Sequence, residues 1–147
     1  MQGRKTEIPD SPRLSVAQVF LRDSQEAMAR NALRTALSRA YYAGYHACVA
    51  LFEQYGYRPQ NFRGRGRRPA SRWEHGLVIR RFLIEFTERR QVISAESSWG
   101  RRRFYADRIL AHYEVAASLE IAYVQESVGI AARVVGEMQI ARRNFSG

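Results

Sequence analysis

The sequence predicts an all-α fold: a four- or five-helix up-and-down bundle with a long basic loop between the second and third helices. Three observations predict it. Apolar residues recur at steps of three and four through most of the chain. No segment shows the alternation, or the turn-bounded β-branched run, that a strand needs. The one long interruption, residues 57–72, is rich in glycine, proline and arginine and has no acid.

The first helix is expected from Leu14 to about Arg30, through Leu14, Ala17, Val19 or Phe20, Leu21, Ala27 and Met28, after a flexible tail over residues 1–12. Asn31 can cap a second helix that runs to about Tyr55, with Ala32, Leu33, Ala36, Leu37, Ala40, Ala43, Ala47, Val49 or Ala50, and Leu51 inward. Gly56 then supplies the left-handed residue that ends helices. A third helix follows the loop from Arg72 to Arg90, facing Leu77, Val78, Phe82, Leu83 and Phe86 inward. A fourth covers about Ser97 to Tyr113. The last starts at Ser118, whose hydroxyl can cap it with Glu120 just inside. It continues to about Arg142 through Ile121, Val124, Val128, Ile130 or Ala131, Val135 and Met138, leaving residues 143–147 as a C-terminal tail. The helical domain is thus expected over residues 13–142.

Its 147 residues suffice for one domain with an ordinary core, and a hydrophobic fraction of 46% argues against disorder. No apolar run approaches a membrane span, and the first residues hold no apolar segment of the signal-peptide kind, so a cytoplasmic protein without membrane contact is expected. The single cysteine, Cys48, excludes an internal disulfide and reads as a small buried hydrophobe. The net charge of +10, nearly all arginine since Lys5 is the only lysine, points to a polyanionic partner. The three histidines and one cysteine lack metal-ligand spacing, and Gly-Arg-Gly-Arg-Arg lacks the Gly-Lys-Ser/Thr ending of a phosphate loop, so no cofactor is expected.

Residues 38–50, Ser-Arg-Ala-Tyr-Tyr-Ala-Gly-Tyr-His-Ala-Cys-Val-Ala, are the most informative stretch. Arg39 and His46 stand seven positions apart. On a helix that is about 700°, so both side chains point the same way. An imidazole that can move a proton would then share a face with a permanent cation that can hold a phosphate. Metal-free cleavage of RNA needs both: control of the 2′-hydroxyl proton and stabilisation of the charge gathering on the phosphorane. Spacing alone is weak support, because the chain has a second pair of the same kind, Arg68 with His75.

The setting separates the two pairs. Arg39-Ala40-Tyr41-Tyr42-Ala43-Gly44-Tyr45-His46-Ala47 closely resembles the signature helix of HEPN (higher eukaryote and prokaryote nucleotide-binding) domains, especially small stand-alone bacterial members. The order of the remainder is similar: a leading helix, a variable loop after the signature helix, His75 opening the next helix, and a later Arg-x-x-Ala-Asp element at Arg103 to Asp107. This likeness spans about residues 14–140. It implies a helical bundle that dimerises through the motif-bearing helices, with Arg39 and His46 catalytic. The implied reaction is metal-independent RNA cleavage that leaves a 2′,3′-cyclic phosphate and a 5′-hydroxyl. Toxins paired with a nucleotidyltransferase antitoxin and effectors of CRISPR or other antiphage defence are among such proteins. Arg108 stands where the family's second motif has tyrosine, and Cys48 where a related toxin branch has the tyrosine that receives nucleotides, so silencing by that route is not implied.

Other residues extend the candidate site. Tyr41, Tyr42 and Tyr45 serve for helix packing and dimer contact, and Tyr42 could alternatively stack on an RNA base. Arg63, Arg65, Arg67 and Arg68 form either a solvated loop or an arm that orders on RNA. Arg101 and Arg102 add a second basic cluster, Arg103 is placed to pair with Asp107 one turn later, and His75 reads as a supporting residue that orders the loop or caps a helix. The alternative function is a non-catalytic scaffold or regulatory subunit that binds RNA or nucleotide, or docks a nucleotidyltransferase or defence complex, since fold alone does not establish function.

Overall fold

A computed structural model describes residues 11–63, 68–90 and 119–143. The fold is an all-α bundle. Among the described residues there are four helices: α1 (Pro12–Ala29), α2 (Leu33–Gln54), α3 (His75–Phe82, continued by a π-helical segment, Leu83–Arg89) and α4 (Ile121–Arg143). The helix expected over Ser97 to Tyr113, and the cap expected at Ser118, lie outside the described residues.

The first helix begins two residues before Leu14. Ser11 is its cap, its hydroxyl accepting from the Leu14 N–H at 3.3 Å, and Pro12 occupies the position where a missing N–H costs nothing. Asn31 is not the cap of α2, as its side chain suggested. It closes α1 in the left-handed region, φ +58°. Its N–H reaches Met28 O at 3.1 Å, and the next N–H, of Ala32, reaches Ala27 O at 2.8 Å, so one tight turn ends α1 and starts α2. The same device ends α2: Gly56 has φ +80°, and the Tyr57 N–H reaches back to Phe52 O at 3.0 Å.

That tight turn lays α1 against α2 through small residues. Ala17 and Ala27 are fully buried against a helix whose own buried face includes Ala36, Ala40, Ala43 and Ala47. Between them Ser24, also fully buried, donates its hydroxyl to Ala36 O at 2.7 Å. α2 is the hub, touching α1, α3 and α4. α4 closes the bundle with Val124, Val128, Ala131, Val134, Val135 and Met138 inward. Ile121, expected inward, is half exposed at the first turn, before that face begins at Val124.

The described parts of the loop after α2 are more ordered than its composition implied. Pro59–Asn61 form a turn of 3₁₀ helix, Arg63 pairs antiparallel with Pro69, and the Ala70 N–H reaches Phe62 O at 2.9 Å. Phe62 and Ala70 are buried. The reason is Phe52 near the end of α2, whose ring gathers those of Tyr57, Phe62, Trp73, Phe82 and Phe86 at centroid distances of 5.0 to 6.1 Å. Trp73 stacks on Phe52 at 5.1 Å, and the Tyr45 hydroxyl holds the Trp73 carbonyl. These contacts keep residues 72–74 out of helix, so α3 starts at His75 rather than Arg72.

Candidate functional site

Most of the signature segment of α2 is buried. Tyr41 is fully enclosed and Tyr45 nearly so, with Ala40, Ala43, Gly44, Ala47 and Cys48 around them. Burial pushes the Cys48 thiol up, so it stays protonated and inert at neutral pH. Only Ser38, Arg39, Tyr42 and His46 reach the surface, half buried, along one stripe at helical steps. Arg39 and His46 therefore do share an open face of one helix. The second pair fails this test: Arg68 is exposed in the loop and the intervening residues 69–74 are not helical.

Two α1 residues that the motif does not contain complete this face. Phe20 is the platform. His46 lies flat on its ring, with centroids 5.3 Å apart and planes within 3°. Tyr42 stacks on it at 5.5 Å, and Arg39 Cζ lies over it at 5.7 Å. Among the described residues no carboxylate meets Arg39, which leaves its N–H donors for an anion. The second residue is Arg13, whose Nη1 lies 3.2 Å from His46 Nδ1 and whose Nη2 lies 3.3 Å from Glu53 Oε1.

The arrangement follows from register. Arg39, His46 and Glu53 are two turns apart in succession on α2, as are Arg13 and Phe20 on α1. Antiparallel pairing of two such ladders puts Arg13 between His46 and Glu53, and Phe20 between Arg39 and His46. The seven-residue step from His46 to Glu53 is visible in the sequence and could have drawn attention to Glu53. Nothing local marks Arg13 or Phe20.

His75 joins the same neighbourhood from α3. Its ring stacks on Tyr45 at 4.3 Å and on Tyr41 at 5.5 Å, Tyr42 meets it edge-on at 6.0 Å, and its Nδ1 lies 2.5 Å from the Tyr41 hydroxyl. His75 thus ties the start of α3 to α2. Burial, the Arg13 guanidinium and His75 together push the His46 imidazole down to about 4, so it is neutral at physiological pH. Burial also raises Tyr45, whose hydroxyl keeps its proton.

Of the arginines expected to grip RNA, Arg63 and Arg68 are exposed within the loop. Arg65, Arg67, Arg101, Arg102, Arg103 and Asp107 lie outside the described residues. Among the described residues no group of His, Cys, Asp or Glu could hold a metal ion, and no helix is long and apolar enough to cross a membrane. No protein-family model matches the chain, and no curated protein matches it.

Proposed function

We propose that this chain is a metal-independent endoribonuclease of HEPN type, a toxin or antiphage-defence effector that cleaves RNA at a composite site between two copies. The observation that carries the reading is the open stripe of α2. Arg39 and His46 share it, one turn either side of Tyr42, and both rest on Phe20. Arg39 would hold the scissile phosphate and stabilise the charge gathering there. His46 would exchange a proton with the reacting oxygens or orient the 2′-hydroxyl. In the reaction the 2′-oxygen bonds to phosphorus, the bond from phosphorus to the 5′-oxygen breaks, and the 2′-hydroxyl proton ends on that 5′-oxygen. A two-fold dimer would bring a second Arg39 and His46 from the same gene, giving a fuller site than one pair can form. Exposed Arg63 and Arg68 would add charge for the RNA backbone.

The test is cleavage of single-stranded RNA in EDTA by the purified chain, with the 2′,3′-cyclic end identified by mass. His46→Ala and Arg39→Ala are each expected to lower the rate about 10²- to 10⁴-fold while chromatographic size is unchanged. Undiminished cleavage by His46→Ala rejects the site.

One observation favours a second reading, a non-catalytic module that binds RNA or docks a nucleotidyltransferase or defence complex. Within the chain His46 Nδ1 is already engaged by Arg13. Salt-sensitive RNA binding without cleavage would be its result.

A further inference from the structure

We infer that Arg13 is a positioning residue for His46, fixing the imidazole as the tautomer with its proton on Nε2, so that His46 meets substrate as a hydrogen-bond donor. The inference rests on the ribonuclease reading for its meaning in catalysis, but not for its geometry.

A guanidinium carries only donors. The contact of Arg13 Nη1 with His46 Nδ1 at 3.2 Å therefore requires Nδ1 to be the accepting nitrogen, and the neutral ring must carry its hydrogen on Nε2. Arg13 is itself held. Its Nε and Nη2 both lie 3.3 Å from Glu53 Oε1, so Glu53, Arg13 and His46 form a chain across α1 and α2. Phe20 fixes the plane of the ring from one face and the edge of Tyr45 meets it at 5.1 Å. The groups that face or flank the imidazole are Arg13 and Phe20 from α1, Arg39, Tyr42, Tyr45 and Glu53 from α2, and His75 from α3. Apart from Glu53, which Arg13 already engages, none of them is an acid that would favour an imidazolium. The depressed His46 proton affinity agrees with a ring that accepts from a cation instead of pairing with an anion.

The chemical consequence is specific. With Nδ1 occupied, His46 has no lone pair free to take the 2′-hydroxyl proton. Its Nε2–H can donate to a phosphate oxygen or to the 2′-oxygen, which aligns the attack. The chain of Glu53, Arg13 and His46 resembles the arrangement in which a third group orients a catalytic imidazole, with a cation in the place usually held by a carboxylate.

The experiment uses the full chain with ¹⁵N-labelled histidine. In the wild type His46 should show a pyridine-type Nδ1 and a pyrrole-type Nε2 from pH 7 down to 5, with protonation well below that of a free histidine. Arg13→Met, which keeps the stem and removes the donors, should give mixed tautomers and raise the His46 pKa by roughly one unit. Arg13→Lys should restore the wild-type tautomer in part. Unchanged His75 resonances show that the fold persists in each variant. A wild-type ring that is mixed, or protonated on Nδ1, overturns the inference without recourse to any variant, as does an unchanged tautomer in Arg13→Met. If RNA is cleaved, Arg13→Met should also lose roughly 10- to 100-fold in kcat, through misorientation. If no form cleaves RNA, the functional reading fails and the spectra still decide the role of Arg13.

Discussion

Acidification offers a direct measure of how tightly the fold holds His46. The folded imidazole is depressed to about 4, against 6.5 when unfolded. Between those values the unfolded chain binds a proton that the folded chain refuses. The contribution is therefore complete above pH 6.5 and is lost as pH falls toward 4. Between pH 7 and 5 the full shift would cost about 2 kcal/mol, at about 1.4 kcal/mol for each unit. His46 is only half buried, so solvent screening reduces this to about 1 kcal/mol, or about 3 °C in Tm for a chain of this length. The assay is urea unfolding at pH 7 and pH 5, at one protein concentration, for the wild type and for His46→Gln. Glutamine can still accept from Arg13 through its carbonyl but does not titrate, so the carboxylates common to both proteins cancel. The wild type should lose about 1 kcal/mol more than the variant over this range. Equal losses would refute the claim that Arg13 and burial hold the ring neutral.

Two further substitutions separate site from scaffold. Phe20→Ala removes the platform under His46, Tyr42 and Arg39; it should cost about 1–2 kcal/mol for a half-buried ring and lower RNA cleavage, measured by urea unfolding and the EDTA assay. Tyr57→Phe removes the hydroxyl that donates to the buried Glu85 carboxylate at 2.9 Å; with Arg89 still paired to Glu85, it should cost about 1–2 kcal/mol and leave the His46 resonances unmoved.

The parts of the fold that could be read from the sequence are those governed by local periodicity. The apolar stripe of α2 and the stop at Gly56 follow from helical spacing and from glycine's tolerance of positive φ. Errors fall where tertiary contact decides between local options. Asn31 can cap a helix or close one, and the approach of α1 to α2 selects the second. Residues 57–72 look solvated because arginine and glycine dominate them. Yet Phe62 is drawn in by Phe52, a residue of the preceding helix, as is Trp73 just beyond them, and Ala70 is buried with its N–H on Phe62 O. The candidate site divides in the same way. Arg39 and His46 could be found because a motif on one helix carries both. Arg13 and Phe20 depend on the register between two helices, which no single-helix pattern encodes.

That register changes what the motif means chemically. Read along α2 alone, Arg39 and His46 look like a cation serving an imidazole. In the folded chain they are not each other's partners: Phe20 lies against both, and the arginine that reaches His46 comes from α1. Among the described residues no carboxylate meets Arg39, while Arg13 is engaged with the ring and with Glu53. In the proposed reaction the two arginines would divide roles that one residue could not fill together, since a guanidinium orienting Nδ1 cannot also follow a phosphate as charge builds. Activity in such a site would be as sensitive to the sequence of α1 as to the motif. Chains with the motif intact but without an α1 donor opposite His46 would leave burial and His75 to hold the proton affinity down, so the imidazole would protonate more readily and exchange tautomers, with a different proton chemistry.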